Sequence, residues 1–70
     1  MASDSSHATI VRLPKVRLRT GLSRSSIYKF IAAGTFPRPV RLGPRAVGWV
    51  ESEVNEWVDR RIAKSRVSVA

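Results

Sequence analysis

Between Ser5 and Val50 the chain carries no acidic residue, yet this stretch holds Arg12, Lys15, Arg17, Arg19, Arg24, Lys29, Arg38, Arg41 and Arg45. The acids Glu51, Glu53, Glu56 and Asp59 are gathered in the segment that follows. Basic side chains without neighbouring carboxylates attract a polyanion. Ten of the thirteen cations are Arg, whose planar fork suits bidentate contacts to phosphate and guanine. With a net charge of +8 on 70 residues, the chemistry expected here is recognition of nucleic acid. Catalysis would need an acid, a base or a nucleophile converging on one point. The four clustered acids stand beside no such partner, and His7, the sole histidine, sits among polar residues without a second ligand. No enzyme, metal or cofactor is therefore expected.

Seventy residues support one domain with a small core. Without cysteine the chain has neither disulfides nor thiolate-bound metal to stabilise it, so packing must suffice. It has no apolar run of membrane-spanning length, and MASDSSHAT lacks the pattern of a signal peptide. A cytoplasmic protein is expected, with a disordered leader over 1–9, a folded domain over 10–66 and a frayed tail over 67–70.

The elements that must position the basic groups follow from local chemistry. In SRSSIYKFIAAGTFP, Ile27, Phe30 and Ile31 recur at helical spacing, with Ser23 as N-cap and Gly34 as stop, which predicts a helix over 24–33. Pro37 and Pro39 then force an extended path. Upstream, LPKVRLRTGL predicts a shorter helix with Pro14 in its first turn, Val16 inward and Gly21 as its cap, with Leu22 dropping into the core. Two short helices joined through Gly21-Leu22-Ser23 suggest a helix-turn-helix.

Val40 to Leu42 and Ala46 to Val50, separated by Gly43-Pro44-Arg45, predict a β-hairpin. Val40 and Leu42 are expected to turn inward with Val47 and Trp49, leaving Arg41 and the Arg45 tip in solvent as a wing. A last helix is expected from an N-cap at Ser52, with an apolar stripe of Val54, Trp57, Val58 and Ile62. The two tryptophans are assigned to the core between hairpin and last helix. The predicted fold class is mainly α with a small β-hairpin, a winged helix-turn-helix.

Taking Ile27 as inward, a rotation of about 100° per residue turns Ser25 and Lys29 outward, with Ser26 and Tyr28 on the flanks. A small, polar and basic helix face of this kind suits a major groove about 12 Å wide. Arg24 lies at the helix N-terminus, where free N–H groups favour phosphate. Arg38, Arg41 and Arg45 are candidates for contacts from the hairpin, with the tip in a minor groove, and Arg17 and Arg19 for phosphate contacts from the first helix.

Three motifs, TGLSRSSIY at Thr20–Tyr28, GTFPRPVRLGPRAVGW at Gly34–Trp49 and SEVNEW at Ser52–Trp57, lie within a run from Leu13 to Lys64 that resembles the AlpA family of prophage regulators. That family is related to phage excisionases and to the DNA-binding module of MerR proteins. The resemblance implies a winged helix-turn-helix in which the helix carrying Arg24, Ser25, Ser26, Tyr28 and Lys29 enters the major groove. The hairpin carrying Arg41 and Arg45 would meet the adjacent groove. Where many relatives have a basic residue before the second-strand tryptophan, this chain has Gly48.

The function expected is sequence-specific binding of double-stranded DNA from a prophage or mobile element, as a transcriptional regulator, a DNA-bending excisionase, or both. A bacterial, nucleoid-associated protein with no membrane partner fits that expectation. Because the chain ends soon after the last helix, adjacent monomers on repeated sites are expected rather than a free dimer, with an integrase as a further partner. Two alternatives use the same charge: an adaptor or inhibitor docking its basic face on an acidic protein, and a small terminase subunit in DNA packaging.

Overall fold

A computed structural model describes residues 8–69. In chain order the elements are β1 (Ile10–Val11), α1 (Leu13–Thr20), α2 (Arg24–Ala32), β2 (Val40–Gly43), β3 (Ala46–Val50) and α3 (Glu51–Val69). Three helices and a small antiparallel sheet of order β1-β3-β2 make a mostly α architecture with one hairpin, compatible with a winged helix-turn-helix.

The ends of α1 and α2 form where the local chemistry places them. Pro14 occupies the first turn of α1, where its missing N–H costs nothing, and Gly21 closes the helix at φ 73°, donating its N–H to the Arg17 carbonyl. Ser23 caps α2 by accepting from the Ser26 N–H. Gly34 ends that turn at φ 80°, and the Thr35 N–H reaches back to the Phe30 carbonyl. Leu22, in the three-residue connection, is half-buried against the core as expected.

The core is Val11, Val16, Ile27, Phe36, Trp49, Val54 and Trp57, with Leu13, Leu22, Phe30, Ile31, Val47 and Val58 packed around it. Both tryptophans therefore lie inside, as their spacing suggested. Trp57 meets Phe36 edge-on at 4.8 Å between ring centroids and Phe30 at 6.1 Å. Arg61 lies across Phe30 and Trp57, 5.0 and 4.8 Å from their centroids, so its guanidinium roofs the aromatic cluster between α2 and α3.

Several expectations are corrected. The last helix begins at Glu51 rather than after a cap at Ser52, because the Glu51 N–H already donates to the Thr9 carbonyl across the sheet. The same helix runs through Val69, across residues assigned to a frayed tail, while Ala70 lies outside the described residues. Residues 1–7 of the expected leader, including His7, also lie outside them, whereas Ala8 and Thr9 are described. Ile62 continues the apolar period of α3 but is 44% exposed, since no element covers it.

The hairpin carries the most consequential correction. Val40 pairs with Gly48 and Arg41 with Val47, while Ile10 of β1, a strand the sequence did not disclose, pairs with Val50. Cross-strand partners share a sheet face and alternate residues share it along a strand. Trp49 must point into the core, so Val47 and its partner Arg41 take the helix-facing side, and Val40 takes the outer side. A register irregularity between Arg41 and Gly43 leaves Leu42 on the outer side too, over Gly48. Val40 and Leu42 are accordingly 40% and 46% exposed, not inward.

Gly48 is buried in the middle strand where Ile10 and Leu42 close over it. A Cβ there would clash with Ile10 Cγ2 and stand 3.1 Å from the Val11 carbonyl oxygen. The lack of a side chain at this position is thus a packing requirement of this chain.

Replacing Trp57 by Ala is expected to cost about 3–5 kcal/mol, eliminating the cooperative thermal transition in circular dichroism. Retention of that transition would refute the core assignment. Gly48→Ala is expected to lower stability by about 1–3 kcal/mol through overpacking, read as an earlier urea midpoint.

Candidate nucleic-acid interface

The exposed side of α2 carries Arg24, Ser25, Tyr28 and Lys29, followed by Ala32. It bears no acid. Arg24 stands 5.7 Å above the Tyr28 ring, and Tyr28 in turn meets Trp49 edge-on at 6.3 Å, so one aromatic chain runs from the α2 surface into β3. Tyr28 is thereby positioned by the sheet while remaining accessible.

Ser26 sits differently from its α2 companions. It is half-buried, and the Ser23 hydroxyl donates to its Oγ at 3.2 Å while Ser23 Oγ accepts the Ser26 N–H. Its polar groups are engaged in closing the helix start. Arg19 is likewise occupied: it donates to Asn55 Oδ1 and Glu51 Oε2, both at 2.6 Å, pinning α1 to the start of α3. This is the ion pair between side chains among the described residues. Arg17, by contrast, is exposed on α1.

The hairpin register places Arg41 on the same side of the sheet as the helices, exposed beyond the end of the core. Arg45 occupies the Pro44-Arg45 turn and Arg38 the preceding loop, both exposed. Among the described residues, none of Arg17, Lys29, Arg38, Arg41 and Arg45 makes an ion pair or side-chain hydrogen bond, so each can meet an external anion without losing an internal partner. The candidate residues thus divide into a free set on α2, α1 and the hairpin, and two members absorbed by the fold, Ser26 and Arg19. The absorbed pair could not be recognised from residue type, because their partners are set by the cap and by the α1–α3 packing.

No group of three or more His, Cys, Asp or Glu gathers among the described residues. No described helix is long and apolar enough to cross a membrane.

Fold and surface together define a small basic domain that presents a two-helix unit beside an arginine-bearing hairpin. The family described as prophage CP4-57 regulatory protein (AlpA) matches residues 9–62, and the chain belongs to that family. Over 60 residues, 86% of this chain and 68% of the relative, it is 45% identical to an uncharacterized protein, ORF88, of Enterobacteria phage P4. It is also 37% identical, over 84% of this chain and 93% of the relative, to the DNA-binding transcriptional activator AlpA of Escherichia coli strain K12.

Arg19→Ala is expected to lower stability by less than about 1 kcal/mol, the range of an exposed ion pair, measured by urea unfolding. An unchanged midpoint would remove its structural role.

Proposed function

We propose that this protein is a non-catalytic, sequence-specific binder of double-stranded DNA from a prophage or mobile element. The observation that carries this reading is the acid-free outer face of α2 with unpaired arginines beside it on the hairpin. In this reading α2 enters the major groove, where Ser25, Tyr28 and Lys29 reach base edges and phosphates and Arg24 takes a phosphate near the helix start. The hairpin is the wing: Arg41 and Arg45 meet the neighbouring groove, with Arg38 at its base and Arg17 on the flanking backbone.

Membership of the family and the likeness to a DNA-binding transcriptional activator support regulation of transcription as the task, in the bacterial cytoplasm at the nucleoid. The same surface serves excision, in which adjacent monomers on repeated sites bend attachment-site DNA and meet an integrase. Neither task requires a cofactor.

Binding is tested with DNA from the protein's own genomic neighbourhood against random duplex of equal length, across a salt series. Neutralising about five phosphates gives a slope of log K on log salt of about −4 to −5. Preference for a neighbourhood fragment by about a hundredfold or more supports the regulator, as specific sites exceed non-specific ones by such factors. Equal, weak and salt-erased binding to both would instead favour an adaptor that docks on an acidic protein. Lys29→Ala is expected to weaken specific binding by about tenfold with the thermal transition unchanged, as lost contacts of this class cost about 1–3 kcal/mol.

A further inference from the structure

Leu18 is 84% exposed on α1, an extreme for a large apolar side chain in this domain. It projects away from Val16, the buried member of its helix, and Lys15 lies one turn before it on the same face. Nothing in the fold accounts for an uncovered leucine at this place.

A second feature is its complement. A groove of about 560 Å³ runs between α3 and the outer side of the hairpin. Phe36, Pro37, Val40, Val50 and Trp57 supply its apolar walls, and Glu53 and Glu56 stand on its rim with Arg38 and Arg60. Of the four acids among the described residues, Glu51 is bound by Arg19, and two of the remaining three open onto this groove. The outer sheet face continues it with the exposed Leu42.

We infer that Leu18 and Lys15 of one copy seat in this groove on the next, Leu18 against Val40 and Val50 and Lys15 against Glu53 and Glu56. The placement of the two surfaces fits a repeating contact. At about 100° per residue, Glu53, Glu56 and Arg60 fall on one flank of α3, while Glu51 and Asn55, which hold α1, fall on the opposite flank. The two surfaces lie on opposite sides of α3, so the contact is head-to-tail and leaves both terminal surfaces open for further copies. It also leaves the exposed faces of α2 and Arg41 unoccupied. Self-repulsion of a chain with charge +8 keeps free copies apart. DNA neutralises that charge, so the contact forms between neighbours on a duplex. The inference deepens the reading of adjacent monomers on DNA and rests on it.

The test titrates full-length protein onto random-sequence duplexes of about 15 bp, long enough for one copy, and about 60 bp, long enough for several. The expected result is that Leu18→Glu binds the short duplex as the wild type does but loses about tenfold in affinity for the long one, as tethering to a neighbour is lost. Lys15→Glu lowers the same ratio, and adding Glu56→Lys to it restores the ratio of long to short affinities, because the introduced carboxylate of one copy then faces the introduced ammonium of the next. An unchanged ratio in Leu18→Glu would overturn the contact and leave the groove to a different partner. Equal loss on both duplexes would also overturn it, by placing Leu18 against DNA.

Failure of the wild type to bind either duplex would sink the DNA reading, and cross-linking at about 1 M salt, which screens the self-repulsion to a length of about 3 Å, then decides the contact separately. The chain has no cysteine, so Leu18→Cys mixed with Val40→Cys reports directly. A mixed disulfide supports the head-to-tail arrangement. Disulfides between like copies alone, or none, overturn it.

Discussion

Trp57 and Trp49 each donate an indole N–H to a carbonyl of the same short loop, at Thr35 and Pro37 respectively. The loop joins α2 to the hairpin, and Pro37 and Pro39 deprive it of two N–H groups with which it could otherwise organise itself. Its carbonyls need donors, and two nearly buried indoles need acceptors. Each requirement meets the other. The consequence reaches well beyond two hydrogen bonds, because this loop fixes where the hairpin stands relative to α2. Trp49 adds its edge contact with Tyr28, and Trp57 holds Phe36 and Phe30, so the pair ties α2, loop, sheet and α3 into one core. The spacing between the basic face of α2 and the hairpin arginines is thus set by two indole hydrogen bonds and the aromatic packing around them.

What could be read in the sequence was what neighbours in the chain decide. Ser23, Gly21, Gly34 and Pro14 act within a turn of themselves, and the helix limits they imply are close to those found. The outer face of α2 was legible for the same reason, since a helix turns at a known rate. Strand β1 was not, because two residues carry no period and Ile10 gains its strand character from Val50 at the far end of the sheet. The two strands of the hairpin are legible from their residues, but their faces are not. Val40-Arg41-Leu42 alternates equally well in either orientation, and the choice is made by Trp49 and Gly48 on the facing strand. Arg19 and Ser26 have the residue types of DNA contacts, and the partners that packing and capping give them within the fold are not legible from type.

The corrected register also changes the relation between hairpin and helices. With Val40 and Leu42 outward, Arg41 comes to the side on which α2 lies. The hairpin therefore contributes charge to one side of the molecule and apolar surface to the other. A sheet of three short strands can do this because Gly48 lets Ile10 and Leu42 close above it, shielding the middle strand without a further layer of structure.

The gathering of every acid among the described residues on α3, apart from the basic faces of α2 and the hairpin, makes the molecule an electric dipole as well as a cation. In the field of a polyanion such a body experiences a torque as well as an attraction. It turns while it is still diffusing, and the end rich in arginine leads. Much of the orientational search that slows the docking of two surfaces is then completed before contact, because the acidic start of α3 is turned away from the polyanion.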